Sequence, residues 1–391
     1  MSQWSGIGLV EVEGSAREQG RAQGVALRSE IGDNLRLVER VLKRLEADGH
    51  TAEYLRLLRD NERFVARHSP DTLEEIVGIA AGSGFAYDQI LALNLPVYQV
   101  RQFQRLECTQ ILLRGQATRD GSTLLAKTRD LASGPFHQVL IRRVLPSGRW
   151  VVEANISGCV TWPGIGINSD GLALSSSGAW SKRQPVDWAR ISEGWLLANT
   201  SELLRHSTSV RSLRDNLAEH PRLTPVILTA ADRESAAVFE TTATTQQEIE
   251  VSGSHSVRTN HYLSAGLAAL APTEREYPST HHRIGRATSL IESRLGDWDI
   301  PAMAELMSDH DGFPQDSLCR HAQREGESQS LYSVMVRVED GSVVALLGNP
   351  CSTLPLGDRV AALPATGTSL PGAGAVHVIS GCLKESATPS A

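Results

Sequence analysis

Five cysteines, at positions 108, 159, 319, 351 and 382, are the strongest potential nucleophiles in this sequence. Their number is odd, their spacing is wide and no two form a Cys-x-x-Cys pair. Neither a disulfide framework nor a structural zinc site is therefore expected, and free thiols in a reducing, cytoplasmic compartment are. Cys108 has a distinctive setting. It stands in Glu107-Cys108-Thr109, where helical sequence gives way to strands, and opens a strand–turn–strand unit ending in Lys127-Thr128-Arg129-Asp130. A thiolate in such a place can attack a carbonyl carbon and hold the acyl group as a thioester. Taken alone, a cysteine here reads more readily as a small buried hydrophobe, as Cys159, Cys319, Cys351 and Cys382 do. Adjacent His281 and His282 point to different faces of a helix, so they make a poor metal pair. Asp309-His310-Asp311 reads as a loop ending a helix. No metal, redox-cofactor or nucleotide-loop motif emerges. On local grounds Asn260 is a loop hydrogen-bonder, and Arg283 and Arg320 are surface charges.

The elements that must position these residues fall into two regimes. Up to residue 107 the chain reads as helical: Val25, Leu27, Ile31, Leu35, Val38, Val41, Leu42 and Leu45 recur mostly at spacings of three and four. Ser69-Pro70-Asp71 starts another helix, which Gly82-Ser83-Gly84 stops near residue 81, and a short one follows over 88–94. Beyond Cys108, strands are predicted over 109–113, 122–128, 139–144, 149–156, two short runs within 164–177, 224–229, 236–241, 248–251, 332–338 and 342–347, with turns at Asp120-Gly121, Ser147-Gly148 and Asp340-Gly341. Helices are predicted over 190–204, 210–219, 279–295 and 301–308. Strand groups broken by helix pairs indicate an α+β protein with mainly antiparallel sheets covered by helices. From residue 364 the chain is rich in Gly, Ala, Ser, Thr and Pro, as in a partly disordered tail.

Composition narrows the class. The 391 residues are 41% hydrophobic and 21% charged, as in ordinary globular proteins, and the net charge of −7 disfavours nucleic-acid binding. The N-terminus lacks a basic region followed by an apolar run, so no signal peptide is expected. The longest apolar stretch, 90–97, is broken by Asn94 and Pro96, so no membrane span is expected.

Several segments, in order along the chain, resemble the isopenicillin N acyltransferase family, a peptidase C45-like branch of the N-terminal-nucleophile (Ntn) hydrolases. Gly14-Ser15-Ala16-Arg17-Glu18-Gln19-Gly20 with Gln23-Gly24 resembles its first helix. Glu75 to Gly84 with Leu91-Ala92-Leu93-Asn94 resembles the stretch before the nucleophile. Glu107-Cys108-Thr109 is similar to the family's Gly-Cys-Thr, and Lys127-Thr128-Arg129-Asp130 falls where an Asp lies near the nucleophile. Gly166 to Leu172, Thr259-Asn260-His261, Ser279 to Arg283, Asp309 to Gly312, Ser317 to His321 and Gly348-Asn349-Pro350-Cys351 extend the resemblance.

The resemblance implies a four-layer αββα Ntn sandwich: a helical segment 1–107 released as a small subunit, a core over 108–363, and a tail over 364–391. It implies that Cys108 attacks the Glu107 carbonyl, cleaving the Glu107–Cys108 bond; the cleaved segment is expected to stay associated, because its helices carry apolar stripes that need a partner surface. The freed α-amino group, with an ordinary pKa of about 7.7–8.0, then takes the thiol proton. By the same resemblance Asp130 orients that amine, Asn260 supplies an oxyanion donor, and Arg283 sits beside the nucleophile. A second donor would come from the backbone near 176–178. Arg320 would meet a substrate carboxylate or form a structural ion pair, and Thr128 stands where an Asn is usual among substrate-binding positions. Glu107 departs from the usual Gly, which most easily adopts a strained acyl-shift geometry. The expected activity is hydrolysis of a small linear amide. The alternatives are acyl transfer from acyl-CoA to an amine and a catalytically silent binding homologue. No cofactor is expected.

Overall fold

The computed structural model describes residues 8–98, 106–353 (apart from 133, 135, 183–185, 187 and 325) and 376–380. Two sheets organise it. The first joins β1 (Leu9–Glu13), β4 (Gln138–Val144), β5 (Trp150–Ile156), β6 (Ile165–Asn168), β7 (Ala173–Gly178), β8 (Val226–Ala231), β9 (Ala236–Thr241) and β10 (Gln246–Glu250) in that spatial order. The second runs β11 (His255–Arg258), β2 (Leu106–Gly115), β3 (Gly121–Leu131), β12 (Gln329–Arg337), β13 (Ser342–Leu347) and β14 (Val376–Ser380). Every pairing is antiparallel except β1 with β4 and β13 with β14. Short turns explain the bias, since antiparallel neighbours need only a hairpin; β2 and β3 are closed by one in which Gly121 takes φ 78°.

Alternation along the strands builds the layers. Leu112, Leu125, Val334 and Val336 of the second sheet pack against Leu140, Val152, Ile165 and Ile227 of the first, making a core between the sheets. Burying each such side chain contributes about 1.5–3 kcal/mol. The intervening residues Ile111, Leu113, Ala126 and Met335 face α8 (Pro278–Ser293) and α9 (Ile300–Met307). On the far side of the first sheet, Val151, Leu174 and Leu228 meet α6 (Thr200–His206) and α7 (Val210–Glu219). The result is the expected αββα sandwich.

The N-terminal helices α1 (Ala16–Ala26), α2 (Arg28–Ala47), α3 (Thr51–His68), α4 (Pro70–Ser83) and α5 (Tyr87–Asn94) share a core with Val139 and Ile141 of β4. α1 and α4 touch backbone to backbone: a Cβ on Gly20, Gly24, Gly78 or Gly82 would lie within 3.0 Å of a carbonyl oxygen across the contact. The two Gly-x-x-x-Gly pairs are therefore packing devices. Buried Glu75 on α4 pairs with Arg143 of β4 at 2.8 Å and with Arg205 of α6, tying helices to sheet.

The structure departs from the sequence expectations in several places. The segment before Cys108 is not all helical, because β1 inserts as an edge strand. The periodic stretch from Val25 to Leu45 spans two helices meeting at Leu27, and α3 falls in the region read as helical, with no bounds predicted for it. The predicted helix over 190–204 is instead a short 3-10 turn, Trp188–Arg190, a passage of turns and bends, and α6, which begins only where the Asn199 side chain caps it. At Gly194 the backbone lies directly against that of Arg222, a contact a helix with side chains could not make. β11 and β14 were also not foreseen. β14 lies in the supposedly disordered tail; most of that tail lies outside the described residues, as does 99–105 before the nucleophile segment.

Candidate active site

Cys108 is the third residue of β2 and is 4% exposed. Register places it opposite Arg129, with Glu107 opposite Asp130. Because side chains alternate, Cys108, Gln110, Lys127 and Arg129 share the face toward the first sheet. Glu107, Thr109, Thr128 and Asp130 share the face toward α8. The site therefore straddles the sheet, with the thiol on one side and the charged supports on the other.

On the thiol side, Lys127 is fully buried. Its Nζ donates to the Ser176 carbonyl of β7 and to Gly164 O at 3.3 Å, on the face of the sheet that carries the Cys108 thiol. Burial pushes its pKa from the ordinary lysine range down to about 7. Lys127 escaped the sequence reading as a functional residue; the signal was a lysine in a strand buried on both faces. Arg129 lies 5.2 Å from the Tyr332 ring and 6.0 Å from that of Trp162. Its Nη1 and Nη2 are buried and have no hydrogen-bond partner among the described residues.

On the helix side, Ser279, Thr280 and Arg283 come from the first turns of α8. Ser279 and Arg283, four residues apart, project on one face. Arg283 donates to Cys108 O at 2.7 Å, Thr109 Oγ1 at 2.8 Å and Asn260 Oδ1 at 2.9 Å. It thus grips the backbone of Cys108 rather than the sulfur. Asn260, just after β11, accepts from the Cys108 N–H at 3.1 Å and donates through Nδ2 to Gly178 O at 2.8 Å. Its orientation is forced, since both groups facing Oδ1 are donors. The backbone expected to offer a second oxyanion donor turns the other way. Ser176 and Gly178 present carbonyls to Lys127 and Asn260, and the Ser176 N–H is taken by Gly164 O at 3.0 Å.

Four buried charges close this side. Glu107 pairs with Arg320 and accepts from Tyr277 and Ser328. Although burial pushes its carboxyl up, Arg320 and Arg283 hold its pKa at about 2. Asp130 accepts from Ser330 Oγ at 2.6 Å and lies 4.0 Å from Arg283, while its Oδ2 is buried without a hydrogen bond. Burial raises the Asp130 pKa against the pull of Arg320 and Arg283. Ser279 Oγ accepts from both arginines. Of the two roles expected for Arg320, the geometry displays the structural ion pair. Thr128 bonds Ser333 Oγ at 2.8 Å and lies on the face away from the thiol. Cys108, Asn260, Asp130, Arg283, Glu107 and Arg320 are thus brought together, and Thr128 stands on the helix-facing side opposite Thr109.

Two facing sheets between helical layers, with this cluster at the start of β2, define an amidohydrolase or acyltransferase of the Ntn class. The family described as acyl-coenzyme A:6-aminopenicillanic acid acyl-transferase matches residues 120–352, more than half of the chain, and the chain belongs to it. No curated protein matches. Among solved structures, penicillin V acylase from Agrobacterium tumefaciens aligns at 15% identity over 61% of this chain and 86% of its own, with a TM-score of 0.40. Among the described residues no helix is long and apolar enough to cross a membrane.

Proposed function

We propose that the protein is a self-processing cysteine amidohydrolase that cleaves a small linear amide through a Cys108 thioester. The observation that carries this reading is that strand register puts the buried Cys108 thiol and the buried Lys127 amine on one face of the second sheet, where desolvation favours the neutral amine that can take a proton. In maturation Lys127 takes the thiol proton and Sγ adds to the Glu107 carbonyl carbon. The Glu107–Cys108 C–N bond breaks as nitrogen gains a proton, and water hydrolyses the thioester. Glu107 then ends in a carboxylate beside Arg320 and Arg283, and Cys108 carries a free amine that Asp130 Oδ2 can accept from.

In turnover the thiolate attacks the substrate carbonyl, the amine leaves with a proton, and water resolves the thioester. Asn260 serves the oxyanion once Nδ2 releases Gly178 O. Arg129, with two unbonded nitrogens on the thiol's side, suits a substrate carboxylate or carbonyl.

The family's description favours a second reading, in which an amine rather than water accepts the acyl group from an acyl-CoA. Intact-mass spectrometry tests the common core. Two fragments divided before Cys108, and an uncut Cys108→Ala chain, are expected. An unsplit wild-type chain with an unreactive thiol would make the protein a silent binding homologue, and cleavage at the same bond in Cys108→Ala would exclude the thiol as its agent. Adding an amine acceptor separates the two enzyme readings, because acylated amine formed at the expense of acid marks acyl transfer.

A further inference from the structure

His310, Cys319, His321 and Cys351 come from two separate stretches: the long loop between α9 and β12, which carries the first three, and the 3-10 turn Pro350–Thr353 after β13. Their ligand atoms all lie within 4.8 Å of one another. His321 Nε2 is 3.1 Å from His310 Nε2, 3.4 Å from Cys319 Sγ and 3.5 Å from Cys351 Sγ.

Hydrogen bonding does not explain this gathering. A neutral imidazole nitrogen either donates one hydrogen bond or accepts one, yet three polar atoms converge on this one. A tetrahedral ion explains it directly. Zinc binds imidazole nitrogen at about 2.0–2.1 Å and thiolate sulfur at about 2.3 Å, which places nitrogen ligands about 3.3 Å apart and nitrogen and sulfur about 3.6 Å apart. The observed separations are close to these. Two thiolates also neutralise a divalent cation, and a tetrahedral S2N2 set selects zinc over harder ions.

We propose that these four side chains bind a structural zinc ion. With four protein ligands the site has no open position for substrate, so its role is to hold chain segments rather than to perform chemistry. Cys319 and His321 are buried, while His310 and Cys351 are partly exposed, which leaves the ion a route in. The consequence for the active site lies in Arg320, enclosed between two of the ligands. Its N–H donates to Ser330 Oγ at 3.0 Å, which in turn donates to Asp130 Oδ1 at 2.6 Å. Its carbonyl accepts from Asn349 at 2.7 Å, and its guanidinium pairs with Glu107. The ion would thus fix the residue that neutralises the carboxylate next to the scissile bond. The sequence reading treats Cys319 and Cys351 as unrelated buried thiols because 32 residues separate them in the chain.

The test is metal analysis of the full-length chain, purified without chelator under reducing conditions. One zinc per chain that survives gel filtration is expected. A chelator-stripped chain given Co2+ should develop visible d–d bands of tetrahedral intensity with a thiolate charge-transfer band. Cys351→Ser and His310→Ala should each retain about tenfold less zinc or worse. Wild-type stoichiometry and the cobalt spectrum decide the matter even if the variants fail to fold. Absence of bound zinc, with no cobalt spectrum in a folded chain, overturns the proposal. Peptide mapping that finds Cys319 joined to Cys351 in the chain as isolated overturns it in favour of a disulfide.

Discussion

Replacing Lys127 with Met separates a proton-accepting lysine from one that merely fills the space between the sheets. At the ordinary lysine pKa of about 10.4, roughly one molecule in 2,500 carries a neutral amine at pH 7, whereas at a pKa of about 7 roughly half do. Burial therefore raises the supply of free base about 1,000-fold. Removing a positioned base slows a reaction by about 10²–10⁴-fold, and Lys127→Met should slow cleavage of the Glu107–Cys108 bond by that factor. Met has a similar length and removes a buried charge. It takes the Lys127 donor away from the Ser176 carbonyl, at about 1–3 kcal/mol, while Gly164 O keeps the Ser176 N–H, so circular dichroism must show that the variant folds. The assay is intact-mass spectrometry on chain made by cell-free synthesis and quenched in acid at intervals. Because the neutral form acts, the wild-type rate should climb about tenfold per pH unit below about 7 and level off above it. A folded Lys127→Met chain that cleaves at the wild-type rate would refute the assignment. So would a wild-type rate that is flat through pH 7.

Glu107→Gln, made in a Cys108→Ala background so that the chain stays intact, should destabilise by about 3–5 kcal/mol, because it leaves Arg320 buried without its partner; thermal denaturation reads this. The Glu107 contribution should persist above its ordinary pKa of 4.5 and fade as pH falls toward 2, since its folded pKa is depressed; thermal scans from neutral to acid pH check the sign. Arg129→Gln should raise KM for an anionic amide by about tenfold or more and leave KM for a neutral one much less changed; equal effects on both would remove Arg129 from substrate binding. Gly78→Ala should lower the melting temperature through overpacking of about 1–3 kcal/mol or more against the Arg17 carbonyl, whereas the same change at Gly253, with open space around it, should not.

Much of the fold was legible in the residues themselves. Periodicity of three and four marked α2, and Pro70 and Gly84 marked the ends of α4. Gly-containing turns marked the β2–β3, β4–β5 and β12–β13 hairpins, because these signals are local. The order of short motifs pointed to the Ntn class. Signals that depend on a partner were weaker: β1 and β14 are five-residue edge strands whose pairing is non-local, and residues 191–199 form turns and bends pinned by the Trp195–Arg222 bridge rather than the predicted helix. The sequence by itself determined the order of the short motifs, and the family resemblance they carry singled out Cys108, Asp130, Asn260 and Arg283, each of which reads locally as an ordinary structural residue. Tertiary structure alone decided what each of them touches. Strand alternation sent Asp130 and the thiol to opposite faces, and the desolvation that lowers the Lys127 pKa arises only when one sheet closes over the other. The convergence of His310, Cys319, His321 and Cys351 likewise exists only once the loop between α9 and β12 folds back on itself and meets the turn after β13.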